Sequence, residues 1–280
     1  MFTWLYDIPV WSGFLIITGV SVLLTCGGIW LLRPFVHKVF GPEPGRNEQV
    51  TMVLTVGGVF YGLLLGLVAA ATYQAFDTAQ DLVSSEAAAI STLYREVSAY
   101  PEPERPVLQK DLVDYTDNLM NVAFPDLRKG EDPPGGTALE TRFQRDLLSF
   151  QPQTKPQEII HQAAIEQFAK FDDERRQRIN AGSGGLPDVL WDVIVLGALV
   201  NFSLLCLFSI STRGAHMLLG GLFAFFLGTM IFLIAAMDYP FRGDLSVSPD
   251  PVVTMFHNVM GQPDAVPADA GNTVERSAGK

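Results

Sequence analysis

From Val50 to Ala71 the chain reads VTMVLTVGGVFYGLLLGLVAAA, with no charged side chain. At 1.5 Å rise per residue, a helix of that length crosses a hydrocarbon core about 30 Å thick. Neither Pro nor Gly follows between Ala71 and Ala99. Span and extramembrane stalk are therefore expected to form one rod. Gly58, Gly62 and Gly66 recur every four residues, with Ala70 next in the series. One face of the helix then lacks side chains, and a second helix can approach closely there. That face either packs inside its own subunit or forms a subunit interface or pore wall, and the spacing fits both.

Three more apolar runs are long enough to span: Val10 to Leu32, Val189 to Ile210 and Met217 to Met237. Composition agrees, with 48% hydrophobic and 18% charged residues. The N-terminal segment is poor in Lys and Arg and its apolar run exceeds a signal-peptide core, so the first span is expected to be retained. Trp4, Trp11 and Trp30 lie near the ends of that span, where indoles favour the headgroup level. The pattern predicts an all-α integral membrane protein. It divides into a first transmembrane hairpin (1–71), a helical extramembrane region (72–187), a second hairpin (188–237), a post-membrane segment (238–260) and a disordered tail (261–280).

The extramembrane region holds 12 Lys plus Arg against 19 Asp plus Glu. Along its stalk an apolar repeat at Phe76, Val83, Ile90 and Val97, offset by Ala79, Leu93 and Tyr100, suits packing against a neighbouring helix. Glu86 falls on the remaining seam position. It either reaches water at the edge of the seam or faces a wet central axis and sets ion preference. Pro101, Pro103 and Pro106 end the stalk and open a second helix, striped by Leu108, Leu112, Tyr115, Leu119 and Val122. Residues 125–136 read as a loop, after which Thr137 is placed to cap a short helix burying Leu139, Phe143 and Leu147. A last helix is expected from Pro156 to about Asn180, with Ile160, Ala164, Phe168 and Phe171 on one face.

Asp188 and Asp192 open the third span, four residues apart. They either complement the helix dipole or form an acidic ring in an oligomer, as charged rings at pore mouths select cations. Asn201, in mid-span, is expected to hydrogen-bond to another helix. The net charge of −11 and the lack of a basic stripe argue against nucleic acid. The scattered histidines, the absence of Walker or dinucleotide loops, and both cysteines lying inside spans leave an enzyme the least supported class. Neither a cofactor nor a metal is expected.

The fourth span ends in MDYPFRGDLSVSP, which contributes Asp238, Pro240, Phe241 and Gly243. Together with RIN and LPDVLW before the third span and GGVFYGLLLGLV in the second, this stretch resembles the bacterial bestrophin-like family over most of the chain. The resemblance implies four spans, a helical extramembrane region built from span extensions, and a ring, usually a pentamer, with second-span helices around a central ion pathway. By position, Phe60 and Leu64 match the neck of that pathway. No calcium site carries over.

The expected partners are therefore the lipid bilayer, ions and further copies of the chain. A membrane-anchored module that binds a partner through its helical region is the rival expectation, motivated by the stalk seam. Arg33, Lys38, Arg46 and Arg213 lie in or beside the two short connectors, whereas the N-terminal segment and the start of the stalk hold no Lys or Arg. The first hairpin thus favours cytoplasmic connectors, placing the large region on the extracytoplasmic side of the bacterial inner membrane.

Overall fold

Long apolar runs fold as helices because no water satisfies their backbone groups in a bilayer, and their number and length set this architecture. A computed structural model describes residues 3–40, 46–208, 210 and 212–261. The tail expected to be disordered, 261–280, lies outside the described residues except for Gly261. Four helices are long and apolar enough to cross a membrane: α1 (Val10–Phe40), α2 (Arg46–Val97), α7 (Asp188–Leu207) and α8 (Arg213–Met237). Between α2 and α7 lie α3 (Glu104–Asn118), α4 (Phe124–Lys129), α5 (Gly136–Ser149) and α6 (Lys155–Ser183), and α9 (Asp250–Met255) follows α8. A turn of π-helix at Leu119–Ala123 joins α3 to α4. The described residues contain no strand.

The span and its stalk are one helix, as expected: α2 is continuous over 52 residues, roughly 78 Å at the α-helical rise. Elsewhere the boundaries move. α1 runs on through Pro34 to Phe40 instead of ending at Leu32, as membrane helices tolerate a proline when neighbouring groups satisfy the backbone it frees. The stretch expected as a loop at 125–136 begins as α4, which continues the helix beyond the π-helical turn at Leu119–Ala123. The chain then turns through Gly130 and Gly135, whose φ values of 78° and 90° favour glycine. Thr137 does not cap α5. The helix starts two residues earlier, at Gly136 with Gly135 as its cap, and the Thr137 hydroxyl instead accepts a 3.0 Å bond from the Arg175 guanidinium.

Contacts divide the chain into two units. The first combines Met1–Asp81, Pro125–Asp132 and Arg178–Val247. Small residues hold its helices together, as expected where lipid offers no hydrophobic drive between helices. A Cβ on Gly220 of α8 would lie 2.7 Å from Ile29 of α1, and one on Gly228 would lie 3.0 Å from the Thr18 backbone. Tyr61 of α2 fills the space left by Gly197 of α7, and its hydroxyl donates a 2.7 Å bond to the Ile194 carbonyl. Tyr61, Leu65 and Val68 thus join Trp191, Ile194, Ala224 and Ile234 in one core.

The second unit combines Leu82–Phe124, Pro133–Gln177 and Ser248–Lys280. The predicted seam forms its centre: Val83, Ile90, Leu93 and Val97 are fully buried, and Tyr100 almost so. Leu108, Leu112 and Leu119 of the α3 stripe, Phe143 and Leu147 of α5, and Ala164 and Phe171 of α6 are buried with them. Edge-to-face rings of Tyr115 and Phe171, with centroids 5.1 Å apart, link α3 to α6.

Candidate functional site

Two places in the first unit combine features that could carry function. One is the membrane-spanning part of α2. Its buried side is Tyr61, Leu65 and Val68, while Gly62 and Gly66 are exposed and a Cβ on either would meet nothing within 4 Å. Among the described residues the glycine series is therefore not a seat for another helix of the same chain, except at Gly58, where a Cβ would come 4.0 Å from Asn201 Oδ1. Phe60 stands 69% exposed. Leu64, paired with it at sequence level, is half-buried against the core of its own chain. Asn201 corrects the expectation of an interhelix bond. Gly58 opposite offers no side chain, so the amide nitrogen turns to the Gly197 carbonyl of its own helix at 2.9 Å, and Oδ1 is left buried and unbonded.

The second place is the junction after α8. The Asp238 carboxylate, 7% exposed, accepts from the Leu186 backbone N–H at 2.5 Å and from the Trp191 indole N–H at 3.1 Å. Burial pushes its carboxyl above the ordinary value, and the two N–H bonds pull it part of the way back. No described Lys, Arg or His forms an ion pair with it. Phe241 packs on Gly182, and Tyr239 lies so near Gly185 that a Cβ there would fall 2.8 Å from its ring. Gly243, at φ 73°, lies against Tyr6 and exchanges bonds with Arg128: its N–H donates to the Arg128 carbonyl at 2.9 Å and its carbonyl accepts from Nε at 3.1 Å. Thus Asp238, Phe241 and Gly243 latch the post-membrane segment onto the linker before α7 and onto α4. Pro240, beside them, lines a cavity with Asp238.

The other acids separate. Asp188 and Asp192 are exposed at the start of α7, with Asp188 in its first turn. Glu86 meets neither expectation. It is fully enclosed in the second unit and accepts a 2.7 Å bond from the Tyr115 hydroxyl, because α3 folds back over that point of the stalk. Trp191 and Tyr61 escaped sequence reasoning as site residues. Their available signal was an aromatic with a polar tip one or more turns inside a span, which must find a partner there. Among the described residues, no three His, Cys, Asp or Glu side chains are grouped as metal ligands would be.

A family model described as a bestrophin-like domain matches residues 19–252. No curated protein gives a match. Among solved structures, a point variant of a bacterial bestrophin homologue from Klebsiella pneumoniae superposes with a TM-score of 0.65 at 12% identity, over 88% of this chain and 99% of the other. A second structure of the Klebsiella pneumoniae homologue gives 0.60 at 14% identity, over 88% and 97%. At such identities the likeness is one of fold.

Proposed function

Because this chain belongs to the bestrophin-like family, we propose that it is a homo-oligomeric ion channel of the cell membrane, its pathway lined by α2. The observation that carries this reading is the open face of α2 at Gly62 and Gly66, where an added Cβ would meet none of the described residues within 4 Å. A smooth helical face of this kind serves close approach between copies or the wall of a conduit. Phe60, exposed on the same helix, is the proposed constriction, and Leu64 supports it from the core side. A pentamer is the ring that the family resemblance suggests. Asp188 and Asp192, exposed and four residues apart, would repeat around such a ring and attract cations. Glu86, being enclosed, contributes through stability instead. The acidic extramembrane region would concentrate cations as well. The charges around the connectors favour a cytoplasmic location for them, with the helical region outside a bacterial inner membrane. The rival reading, a partner-binding module, drew on the stalk seam, and that seam is occupied by the chain itself.

The test is ion flux from liposomes containing purified protein, across gradients of different salts. Phe60→Ala and Gly62→Leu should each change the flux, and the reversal potential reports the ion. Unchanged flux in both variants, or none from inserted oligomers, would remove α2 as the pathway.

A further inference from the structure

Beside Asp238 is a cavity of about 500 Å³, lined by small residues such as Ala71, Ala75 and Gly185, by the polar side chains of Thr72, Gln74 and Thr78, and by the Asp238 carboxylate itself. We propose that this cavity holds an ammonium group, carried either by a phospholipid headgroup or by a small free amine.

The carboxylate supplies the first part of the argument. An ionised carboxylate offers about four acceptor positions. Here the two N–H bonds, from Leu186 and Trp191, engage one position on each oxygen. The group is more than nine-tenths buried, and no described basic side chain pairs with it. A buried charge in that state gains most from a cation brought to its free positions. Both N–H donors also fix its orientation, so the cation meets a preformed acceptor.

The walls decide which cation. Hard divalent ions demand six or more oxygens and favour several carboxylates, whereas Asp238 is the single carboxylate among the described lining residues, beside the neutral side chains of Thr72, Gln74 and Thr78. An ammonium on a short apolar body suits the space better, with three donors in a compact head and methylenes against alanines. Position suggests the sources. Asp238 directly follows α8 and Leu186 lies just before α7, so the cavity sits where both helices of the second hairpin leave the bilayer. Lipid headgroups bearing primary amines occupy that level.

Trp191 provides the readout, since its indole N–H bonds to the same carboxylate. The full chain carrying Trp4→Phe, Trp11→Phe and Trp30→Phe retains one tryptophan. It is placed in nanodiscs of pure phosphatidylglycerol and titrated with n-butylammonium, with n-butanol as the uncharged control. A saturable change in Trp191 emission is expected with the amine, at least about ten-fold weaker with butanol. Ala75→Leu, which narrows the cavity from the α2 side, should abolish it. Discs containing phosphatidylethanolamine should suppress the amine titration if the lipid is the natural source and leave it unaltered if a free amine is. No saturable change in phosphatidylglycerol discs, equal response to butanol, or an unaffected Ala75→Leu variant would each overturn the proposal. So would a loss of oligomer mass in Ala75→Leu, which would show that a second copy fills the cavity.

Discussion

Replacing Tyr115 by Phe tests the enclosed Glu86 most directly. The phenol donates a 2.7 Å bond to Glu86 Oε1, and both side chains lie out of reach of solvent. Removing the hydroxyl takes one donor from a carboxylate that solvent does not reach. Hydrogen bonds to charged groups contribute about 1.5–3 kcal/mol, so Tyr115→Phe should cost about 2 kcal/mol, or roughly a thirty-fold change in the folding equilibrium. For a domain of about 100 residues this is a fall in Tm on the order of 10 °C. Glu86→Gln keeps the shape and an acceptor oxygen but removes the charge, so adding Tyr115→Phe to it should cost less than in the parent. The assay is thermal and urea unfolding of the purified protein in detergent for both single variants and the double variant. Flux measurements run beside it should show the same reversal potential for Glu86→Gln as for the parent. A Tyr115→Phe variant as stable as the parent, or a shifted reversal potential in Glu86→Gln, would refute the enclosure and restore Glu86 to a wet axis.

Three further outcomes are expected. Gly243→Ala forces a side chain into φ 73° with its Cβ 3.2 Å from the Tyr6 ring; it should lose about 1–3 kcal/mol in the same unfolding assay. Gly197→Ala puts a methyl into the Tyr61 ring; about 1–3 kcal/mol of overpacking should appear as a lower Tm in detergent. His161 Nδ1 lies 2.8 Å from the Tyr100 hydroxyl, and burial lowers its pKa below the ordinary 6.5. The unfolded chain then binds the proton more readily, so this contribution to stability is complete above pH 6.5 and fades as pH falls through the depressed value. His161→Gln should flatten that part of the Tm-against-pH profile, and an unchanged slope would show that other groups cause it.

Much of the architecture was legible in the sequence because it depends on local, additive properties. Apolar runs of span length announce four membrane helices whatever surrounds them, and the absence of Pro and Gly after Ala71 lets α2 continue to Val97. The seam at Val83, Ile90 and Val97 was readable for the same reason, since periodicity on one helix fixes which side chains share a face. The fate of individual polar groups was not. Glu86 meets Tyr115 across 29 residues, and Asp238 meets Trp191 across 47. Neither pairing has a local signature. The glycine series shows the division most plainly: spacing created a bare face on α2, but the placement of Tyr61 against Gly197 decided that Gly62 and Gly66 point away from their own chain. Sequence by itself determined which segments cross the membrane, through hydrophobicity and length; the tertiary structure decided which polar atoms are enclosed and which faces stay open, because desolvation depends on neighbours brought from elsewhere in the chain.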